Sequence, residues 1–333
     1  MNRFKQHLRL AANLQLLPAL EGGEEVLVGG QAVIEGVMMR SPHAYCVAVR
    51  KTSGEITTQT GQLQRPSERR RIWKYPVLRG LGTLGQALVL GIRALRFSAN
   101  TAMEEENARA GRADQAPPKS EISGWVMAAN LVFSVGFFLF LYKFLPLFLA
   151  TRLRADFPVL GNHFAFNLVD GVLRLLLFLG FLLAVSRWKE IRRVYQYHGA
   201  EHKVVFNYES GRPVTPENAA TFTTLHPRCG TSFLLVVMVI SMVLYTLIPV
   251  ESFGARFLVR IALLPVIAGV SFEVIRFAAR RQGTLWASLV APGLWLQKVT
   301  TQPPSTDQLE VSIHALTQAM ALEEQRGGEL VIA

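Results

Sequence analysis

The stretch FAFNLVDGVLRLLLFLGFLLAV, residues 164–185, is almost entirely apolar and carries only one acid and one arginine. A helix needs about 20 apolar residues to cross a hydrocarbon core about 30 Å thick. Three further stretches, residues 125–150, 233–250 and 257–275, are similar in length and composition. The sequence therefore predicts an α-helical polytopic membrane protein with about four transmembrane helices.

The charges outside these stretches predict how the chain is oriented. Residues 186–232 carry seven Lys or Arg residues, whereas residues 151–163 carry two and residues 251–256 carry one. Short loops rich in Lys and Arg stay in the cytoplasm. Residues 1–25 form an amphipathic segment that is broken by Pro18 and lacks the pattern of a signal peptide. We therefore expect a multi-pass protein with both termini in the cytoplasm.

The formal net charge of +11 is explained by basic residues that lie next to the apolar stretches. This placement favours a lipid bilayer with anionic headgroups as the partner, with an RNA or ribosomal surface as the alternative, and it indicates no specific nucleic acid. The two cysteines, Cys46 and Cys229, both fall on the predicted cytoplasmic side, where thiols stay reduced. No disulfide is expected.

Residues 26–72 are predicted to form a small N-terminal cytoplasmic β-rich domain. Within it, YCVAVRKTSGEITTQTG, residues 45–61, alternates apolar and polar residues on either side of a central turn, which is typical of a β-hairpin. Gly29, Gly30 and Gly36 precede this segment and indicate turns, bulges or a close approach of another chain segment to the backbone.

The rest of the chain is predicted to divide into parts around the spans. An interfacial or re-entrant helix covers residues 73–99, where glycines and arginines interrupt the apolar pattern, and a fifth span is the alternative there. A linker is expected at residues 100–124. The four-helix transmembrane region follows at residues 125–282, with a cytoplasmic motif loop at residues 186–232. Residues 283–333 are expected to form an interfacial segment and an amphipathic cytoplasmic tail helix.

The motif YHGAEHK, residues 197–203, holds the residue types of a metal site. No proline separates it from the second span, so we expect that span to continue as one helix into the cytoplasm. His198 and His202 then project from the same helical face, and Glu201 lies on nearly the same side. The order His-x-x-Glu-His is found in the inverted zinc metallopeptidases, in which the glutamate is the general base. Glu201 is therefore the predicted catalytic residue, unless the helix is simply solvated and its histidines touch only water and lipid phosphates.

A site with two histidines needs further ligands, and two other motifs offer them. In LHPRCGTSF, His226 and Cys229 have a separation that is common among chelating residues. In SFEVIRFAARR, Glu273 is an acid within a predicted span, which is costly unless it binds a ligand or is neutralised by the arginines that follow it. The expected cofactor is a divalent transition metal, zinc first. The predicted metal ligands are His198, His202, His226, Cys229 and Glu273.

Further charged residues fall within the predicted spans, toward their outer halves. They are Lys143, Asp170, Arg174 and Arg260. Asp170 and Arg174 are four residues apart and can pair along one helical face. A structural role is expected for this set.

Several stretches together resemble one known family. GGQAVIEGVMMRSP, YHGAEHK, HPRCGTSF and SFEVIRFAAR are similar to the YqhQ-like family of bacterial polytopic membrane proteins, a domain-of-unknown-function family described as predicted metal-dependent enzymes. The resemblance runs from about Gly29 to the tail helix and implies a location in the bacterial cytoplasmic (inner) membrane. The residues that match its motifs are Gln31, Glu35, Gly36, Arg40, His198, Glu201, His202, His226, Arg228 and Cys229.

Two functions are expected from these features. The first is a metal-dependent hydrolase that acts at the membrane interface on a lipid-linked or peptide substrate, with Arg228, Glu35 and Arg40 as substrate-binding residues. The alternative is a non-catalytic membrane scaffold or membrane-protein biogenesis factor that docks on a translocase, a ribosome or a lipid surface. A homodimer is also expected, since four spans bury little surface by themselves. A transporter is disfavoured, because few charges fall near the middle of the spans.

Overall fold

The computed structural model shows a largely α-helical chain with a small N-terminal β-sheet, as the sequence predicts. The residues that it describes are 28–110, 124–226, 229–279 and 291–325. The predicted N-terminal amphipathic segment, the beginning of the predicted interfacial segment after residue 282, and Arg228 lie outside these ranges.

The sheet is a four-stranded antiparallel meander in the order β1-β2-β3-β4. Val33 pairs with Gly36, so two residues connect the first two strands, and the second of them, Glu35, has a φ of 53°. The predicted hairpin joins the last two strands, and Gly54 in its turn has a φ of 90°, a conformation that glycine adopts without strain. The strands are β1 (Gly29–Val33), β2 (Gly36–Arg40), β3 (Ala44–Arg50) and β4 (Ile56–Gln62).

Helices make up most of the remaining described chain. A π-helical turn, Phe140–Phe144, joins α3 to α4, and short 3-10 turns cover Arg71–Lys74 and Pro158–Gly161. The α-helices are α1 (Pro66–Arg69), α2 (Leu78–Arg109), α3 (Gly124–Leu139), α4 (Leu145–Asp156), α5 (His163–Val185), α6 (Lys189–Glu209), α7 (Pro216–Ala220), α8 (Gly230–Thr246), α9 (Phe253–Ala262), α10 (Leu264–Ala279), α11 (Ala291–Thr300) and α12 (Thr306–Glu324).

Two helical segments are long and apolar enough to cross a membrane, Val132–Asp156 and His163–Val185. The pair α9 and α10, which is bent by 49°, forms a third if it is counted as one span. The apolar helix α8 has 17 residues, fewer than the roughly 20 that a hydrocarbon core requires. Many large apolar side chains on these helices face outward, as expected for a surface in contact with lipid. The described structure thus supports two or three candidate spans, whereas the sequence predicts four.

The segment predicted as an interfacial or re-entrant helix is the first part of α2. This helix continues through Arg109, ten residues into the predicted linker, because residues 100–109 are rich in the helix formers Ala, Met, Glu and Arg. Residues 111–123 of that linker lie outside the described chain. Leu90 and Ala94 of α2 pack on one face of the sheet, against residues such as Met38.

The opposite face of the sheet packs on α6 and α12. The side chains of Val37 and Met39 point to this face of the sheet, because successive residues of a strand point to opposite faces. Leu309 and Leu316 of the predicted tail-helix stripe are buried here. Burial also raises the pKa of the Cys46 thiol to about 12, so this cysteine stays protonated. Helices therefore pack on both faces of the sheet over β2 and β3, while most of β4 is exposed or partly exposed.

The second span does not continue into the motif helix as one helix. α5 ends at Val185, and α6 begins at Lys189 after Trp188, which is extended. The Ser186 hydroxyl donates to the carbonyl of Leu183, within the last turn of α5. This break lets α6 leave the direction of the span and lie against the sheet, where its apolar side is buried.

One carboxylate joins the end of α12 to the turn between β2 and β3. Glu323 is 5% exposed and accepts hydrogen bonds from Ser41 Oγ at 2.6 Å and from the His43 backbone N–H at 2.8 Å. The Nδ1 atom of His43 lies 2.7 Å from the same carboxylate. Although burial raises the pKa of Glu323, these hydrogen bonds hold it below its ordinary value.

We expect Glu323→Gln to lower the free energy of unfolding by about 1–3 kcal/mol, since hydrogen bonds to a buried charge are lost. The measurement is the thermal unfolding midpoint in detergent, beside Glu324→Gln, which changes an exposed neighbour. The wild-type advantage should shrink as the pH falls through the lowered pKa of Glu323, because the stabilising carboxylate then becomes protonated. Equal midpoints for the two variants would contradict the role of this contact.

Candidate metal centre

The site is built around α6, whose buried side fixes the direction of its polar side. Tyr197, Ala200 and Val204 are at most 1% exposed and pack in the cluster that joins α6 to the sheet and α12. Burial raises the pKa of Tyr197 to about 12, and the Glu35 carboxylate next to it acts in the same direction. With one side of the helix held in this way, His198 and His202 face a space beside the sheet.

Both histidine rings are oriented by backbone carbonyl groups. Nδ1 of His198 lies 2.8 Å from the carbonyl oxygen of Thr300, and Nδ1 of His202 lies 2.5 Å from that of Thr224. A carbonyl oxygen can only accept, so each Nδ1 carries a proton, and in the neutral ring the lone pair is then on Nε2. This is the arrangement in which proteins fix the tautomer of a metal-binding histidine.

Cys229 completes a cluster of three candidate ligands. It caps the N-terminus of α8, and its Sγ lies 3.3 Å from Nε2 of His198. One ligand atom from each of His198, His202 and Cys229 lies within 4.8 Å of the other two. Ligands of a tetrahedral zinc ion lie about 3.5 Å apart, so the widest pair needs to close by about 1 Å. The donor set fits zinc, which binds imidazole nitrogen and thiolate sulfur.

Glu201 connects the motif helix to the sheet. Its carboxylate is largely buried, and Oε1 accepts a hydrogen bond of 2.9 Å from the backbone N–H of Gly30. A Cβ atom at Gly30 would lie 2.9 Å from Cγ of Glu201 and 2.5 Å from the carbonyl oxygen of Met38. Only glycine permits this close approach. A close approach is one of the three features that the sequence indicates for Gly30.

A cavity of about 520 Å³ lies in front of the cluster. Its walls come from β1, β2, α2, α6 and the start of α8, and they include His198, Glu201, His202 and Cys229. The other walls are mostly apolar, with Val28, Ala32, Met38, Leu90 and Val205 among them. This volume is in the range of small-molecule and substrate pockets.

His226 lines the same cavity but lies outside the group of three ligands. It is buried, and its ring centroid lies 5.6 Å from that of His202. Burial lowers its pKa to about 4, although the charge of Glu201 acts in the opposite direction, so the ring is neutral at pH 7. Its Nε2 lies 3.6 Å from a carboxylate oxygen of Glu209. The structure thus places His226, itself a predicted ligand, beside the group formed by His198, His202 and Cys229.

Glu273 is not brought to this cluster. Its carboxylate pairs with the guanidinium of Arg79 on α2, with one contact of 2.6 Å, and it also accepts from the backbone N–H of Val77 at 3.3 Å. The sequence predicts Arg276 and Arg280 as the neutralising residues, as an alternative to metal binding. The ion-pair partner is instead Arg79, from a distant part of the chain, while Arg276 acts on Glu273 through its charge and Arg280 lies outside the described residues.

The predicted substrate-binding residues are separated in the fold. Arg40 lines the cavity, and its pKa is lowered by burial and by the nearby charge of Arg65. Glu35 lies in the turn after β1, where it forms an ion pair with Arg193 and lies 3.5 Å from the hydroxyl of Tyr197. Of the predicted substrate-binding residues that the structure describes, Arg40 lines the cavity and Glu35 does not. Arg228 lies outside the described chain.

The sequence does not indicate the residues that hold His198, His202 and His226 in place. Gln297 on α11 binds the main chain of His226 from both sides, accepting from its N–H at 2.7 Å and donating to its carbonyl oxygen at 2.8 Å. The carbonyl oxygen of Thr224 accepts a hydrogen bond from Nδ1 of His202, and that of Thr300 accepts one from Nδ1 of His198. A backbone carbonyl is present at every position, so no pattern in the sequence could have identified these two.

The glycine pair at the start of β1 provides a matched test of the contact with Glu201. We expect Gly30→Ala to destabilise the protein by about 1–3 kcal/mol, because the new methyl group meets the Met38 carbonyl oxygen and Glu201. Gly29→Ala adds the same atoms where nothing lies within 4 Å and should change little. Thermal unfolding in detergent compares the two variants, and an unchanged midpoint for Gly30→Ala would contradict the observed approach.

The fold and the site define a class: a largely helical protein with candidate membrane spans and a His, His and Cys cluster beside a small sheet. Residues 75–322 match the family described as "Protein of unknown function (DUF1385)", and the chain belongs to this family. It is 34% identical over 297 residues to "Uncharacterized protein YqhQ" of Bacillus subtilis (strain 168), an alignment that covers 89% of this chain and 92% of that protein. No solved structure matches the chain. The resemblance seen in the motifs is thereby confirmed.

Proposed function

We propose that His198, His202 and Cys229 bind a divalent transition metal, zinc first, and that the protein is a hydrolase in which Glu201 is the general base. The observation that carries the proposal is the pair of fixed tautomers. Both rings donate through Nδ1 to a carbonyl, which leaves the lone pair of each neutral ring on Nε2, and Nε2 of His198 lies 3.3 Å from the sulfur of Cys229. Solvated histidines on a surface helix have no reason to share this arrangement.

The number of ligands favours catalysis over a structural role. Structural zinc sites have four protein ligands, whereas catalytic sites have three and keep one position for water or substrate. A bound metal supplies Lewis acidity, which polarises a carbonyl or phosphoryl oxygen of the substrate. The cavity extends from His198 and His202 to the sheet, so a substrate has room to reach this position.

The roles of the protein groups follow from their contacts. Glu201 lines the cavity beside the cluster, and its hydrogen bond to Gly30 holds the carboxylate in one orientation. It accepts a proton from the attacking water, whose oxygen forms a bond to the carbonyl carbon or phosphorus of the substrate. The bond from that atom to the leaving group then breaks, and Glu201 passes the proton to the leaving group. Arg40 supplies a positive charge in the cavity wall for an anionic part of the substrate.

The apolar walls of the cavity favour a substrate with an apolar portion. Side chains such as Val28, Met38 and Leu90 line it, and Cys229 of the cluster lies at the start of the apolar helix α8. A lipid-linked molecule or an apolar peptide segment meets both requirements. The reaction is therefore proposed to take place at the membrane interface.

For the topology we propose four crossings, with α8 and the bent pair α9–α10 as the third and fourth. The sheet, α6 and α12 pack together, so they lie on one side of the membrane. The chain must therefore cross the membrane an even number of times between the sheet and α6. It must also cross an even number of times between α6 and α12. The two long spans satisfy the first condition and leave α2 as an interfacial helix.

Between α6 and α12 the number of crossings must be even. This requires that α8 and the bent pair α9–α10 either both cross the membrane or both stay on one side. Arg174 of α5 donates to Ser241 of α8, and Arg260 of α9 reaches Asp170 of α5. These contacts favour crossing, because they place α8 and α9 alongside a long candidate span. We assign the sheet, α6 and both termini to the cytoplasmic side of a bacterial inner membrane, since the basic residues are concentrated there.

Metal content tests the proposal directly. We expect purified wild type to hold about one transition metal ion per chain, and the double variant His198→Ala, His202→Ala to lose it. The measurement is elemental mass spectrometry after gel filtration in detergent, with His314→Ala as a control on a different helix. Wild type that stays metal-free after incubation with zinc or manganese would refute the metal centre.

A specific observation also favours a second function, that of a non-catalytic scaffold or biogenesis factor. Motif residues make contacts between separate parts of the fold: Glu201 bonds to Gly30 of the sheet, and Glu35 pairs with Arg193 of α6. In this function the motifs hold the sheet against the helices. The basic surface beside the candidate spans would then dock on a translocase, a ribosome, a lipid surface or a second copy of the chain.

Glu201→Gln separates the two functions, because glutamine can still accept from the Gly30 N–H but cannot act as the base. For a hydrolase we expect unchanged metal content and unfolding midpoint, with a loss of turnover of about 10²–10⁴-fold. The assay is a panel of chromogenic ester, peptide and phosphodiester probes with metal-loaded protein. For a scaffold, no probe is turned over, and the variant supports growth of a deletion strain as well as wild type does.

A further inference from the structure

A second polar cluster lies inside the candidate spans, at the other end from the histidines. It contains four cationic side chains, none of them more than 9% exposed, and one acid that is 1% exposed. When all four basic side chains are protonated, these five groups carry a net charge of +3, and the charges of Arg154 and Glu251 also act on Arg256. The cations are Lys143, Arg174, Arg256 and Arg260, and the acid is Asp170.

The single carboxylate is fully used by two of the arginines. Oδ1 of Asp170 accepts from Arg260 at 2.6 Å, and Oδ2 accepts from Arg174. Lys143 instead donates to the hydroxyl of Tyr245 at 3.0 Å, and Arg256 donates to the carbonyl oxygen of Val250 at 2.5 Å. Within the described residues, no carboxylate lies at ion-pair distance from Lys143 or Arg256.

The protein stabilises these cations only in part. Three of them lie over the ring of Tyr245, with Arg260 at 4.9 Å, Arg174 at 5.2 Å and Lys143 at 5.4 Å from its centroid. A cation–π contact offsets only part of the cost of placing a cation within a bilayer. Three like charges around one ring also repel each other, so the cluster as a whole attracts an anion.

A cleft gives access to this charge. It has a volume of about 10 Å³, and its lining includes Arg256, Arg260, His163 and Tyr245. A volume of this size admits one water-sized atom. A single oxygen of an anionic group can therefore enter, while the remainder of the group stays at the mouth.

The surroundings of the cleft favour a lipid as the source of that group. Its other walls include the apolar side chains of Ile248, Val250 and Val259. The neighbouring residues Leu247 and Leu258 are 69% and 66% exposed. An acyl chain can lie along these side chains, whereas a free inorganic anion gains nothing from them.

The local helix geometry also favours a functional role. Lys143 lies on the π-helical turn Phe140–Phe144, which interrupts the candidate span Val132–Asp156. Such turns are rare and occur frequently at functional sites. The extra residue in the turn contributes to directing Lys143 toward Tyr245.

We propose that this cluster is a binding site for the phosphate group of an anionic phospholipid. The cleft lies at the His163 end of α5, and the histidine cluster lies beyond its Val185 end, so the lipid enters from the opposite leaflet. The site does not depend on the metal centre. It also differs from the basic residues of the cytoplasmic rim, because its cations are buried.

The test is native mass spectrometry of purified protein mixed with equal amounts of phosphatidylglycerol and phosphatidylcholine. We expect wild type to retain phosphatidylglycerol, and Arg256→Gln to retain about fivefold less, as about 1 kcal/mol per basic residue implies. Arg152→Gln is the matched control, since it removes an exposed arginine from the same end of the spans and should retain wild-type amounts. Lys143→Met is a second variant that keeps the test available if Arg256→Gln fails to fold.

Three outcomes would overturn the proposal. One is equal retention of the two lipids by wild type, and another is an equal loss in Arg256→Gln and Arg152→Gln. The third concerns the source of the anion. If inorganic phosphate raises the unfolding midpoint of lipid-free wild type as much as phosphatidylglycerol does, and fails to do so in Arg256→Gln, the site binds a free anion and the lipid assignment is wrong.

Discussion

The packing of α6 between the sheet and α12 is the contact on which the rest of the candidate site depends. Tyr197, Ala200 and Val204 bury one side of this helix, which leaves its polar side facing the cavity. If α6 rotated about its axis, His198 and His202 would move relative to Cys229, which lies at the start of α8. The apolar contacts therefore determine where the histidines point, although none of them belongs to the site.

Close backbone approaches then complete the arrangement around this helix. Gly199 allows the segment after α11 to lie against α6, where the N–H of Gln302 donates to the carbonyl of Tyr195 at 2.9 Å. The same approach brings the Thr300 carbonyl to His198. Gly30 has the equivalent function on the other side, where β1 meets Glu201. Both glycines act through the absence of a side chain, which lets two segments of backbone share a small volume.

The spans separate two polar centres of different character. One lies beside the sheet and presents lone pairs on nitrogen and sulfur, which suit a metal cation. The other lies within the spans and presents buried guanidinium and ammonium groups, which suit an anion. The helix α5 connects them, since it begins at the cationic cleft and ends just before the helix that carries the histidines. The two centres can be altered independently, because they share no residue.

The sequence by itself determined the long apolar helices that are candidate spans, the hairpin in the sheet, the candidate ligand types and the family, because each depends on local composition, periodicity or motif. Only the tertiary structure decided which ligands meet. Cys229 joins the two histidines, while Glu273 is paired with Arg79. The break between α5 and α6 and the cationic cluster around Tyr245 also emerged only in three dimensions. The physical reason is that these contacts join residues far apart in the chain, and their distances depend on how whole helices pack rather than on any spacing along the sequence.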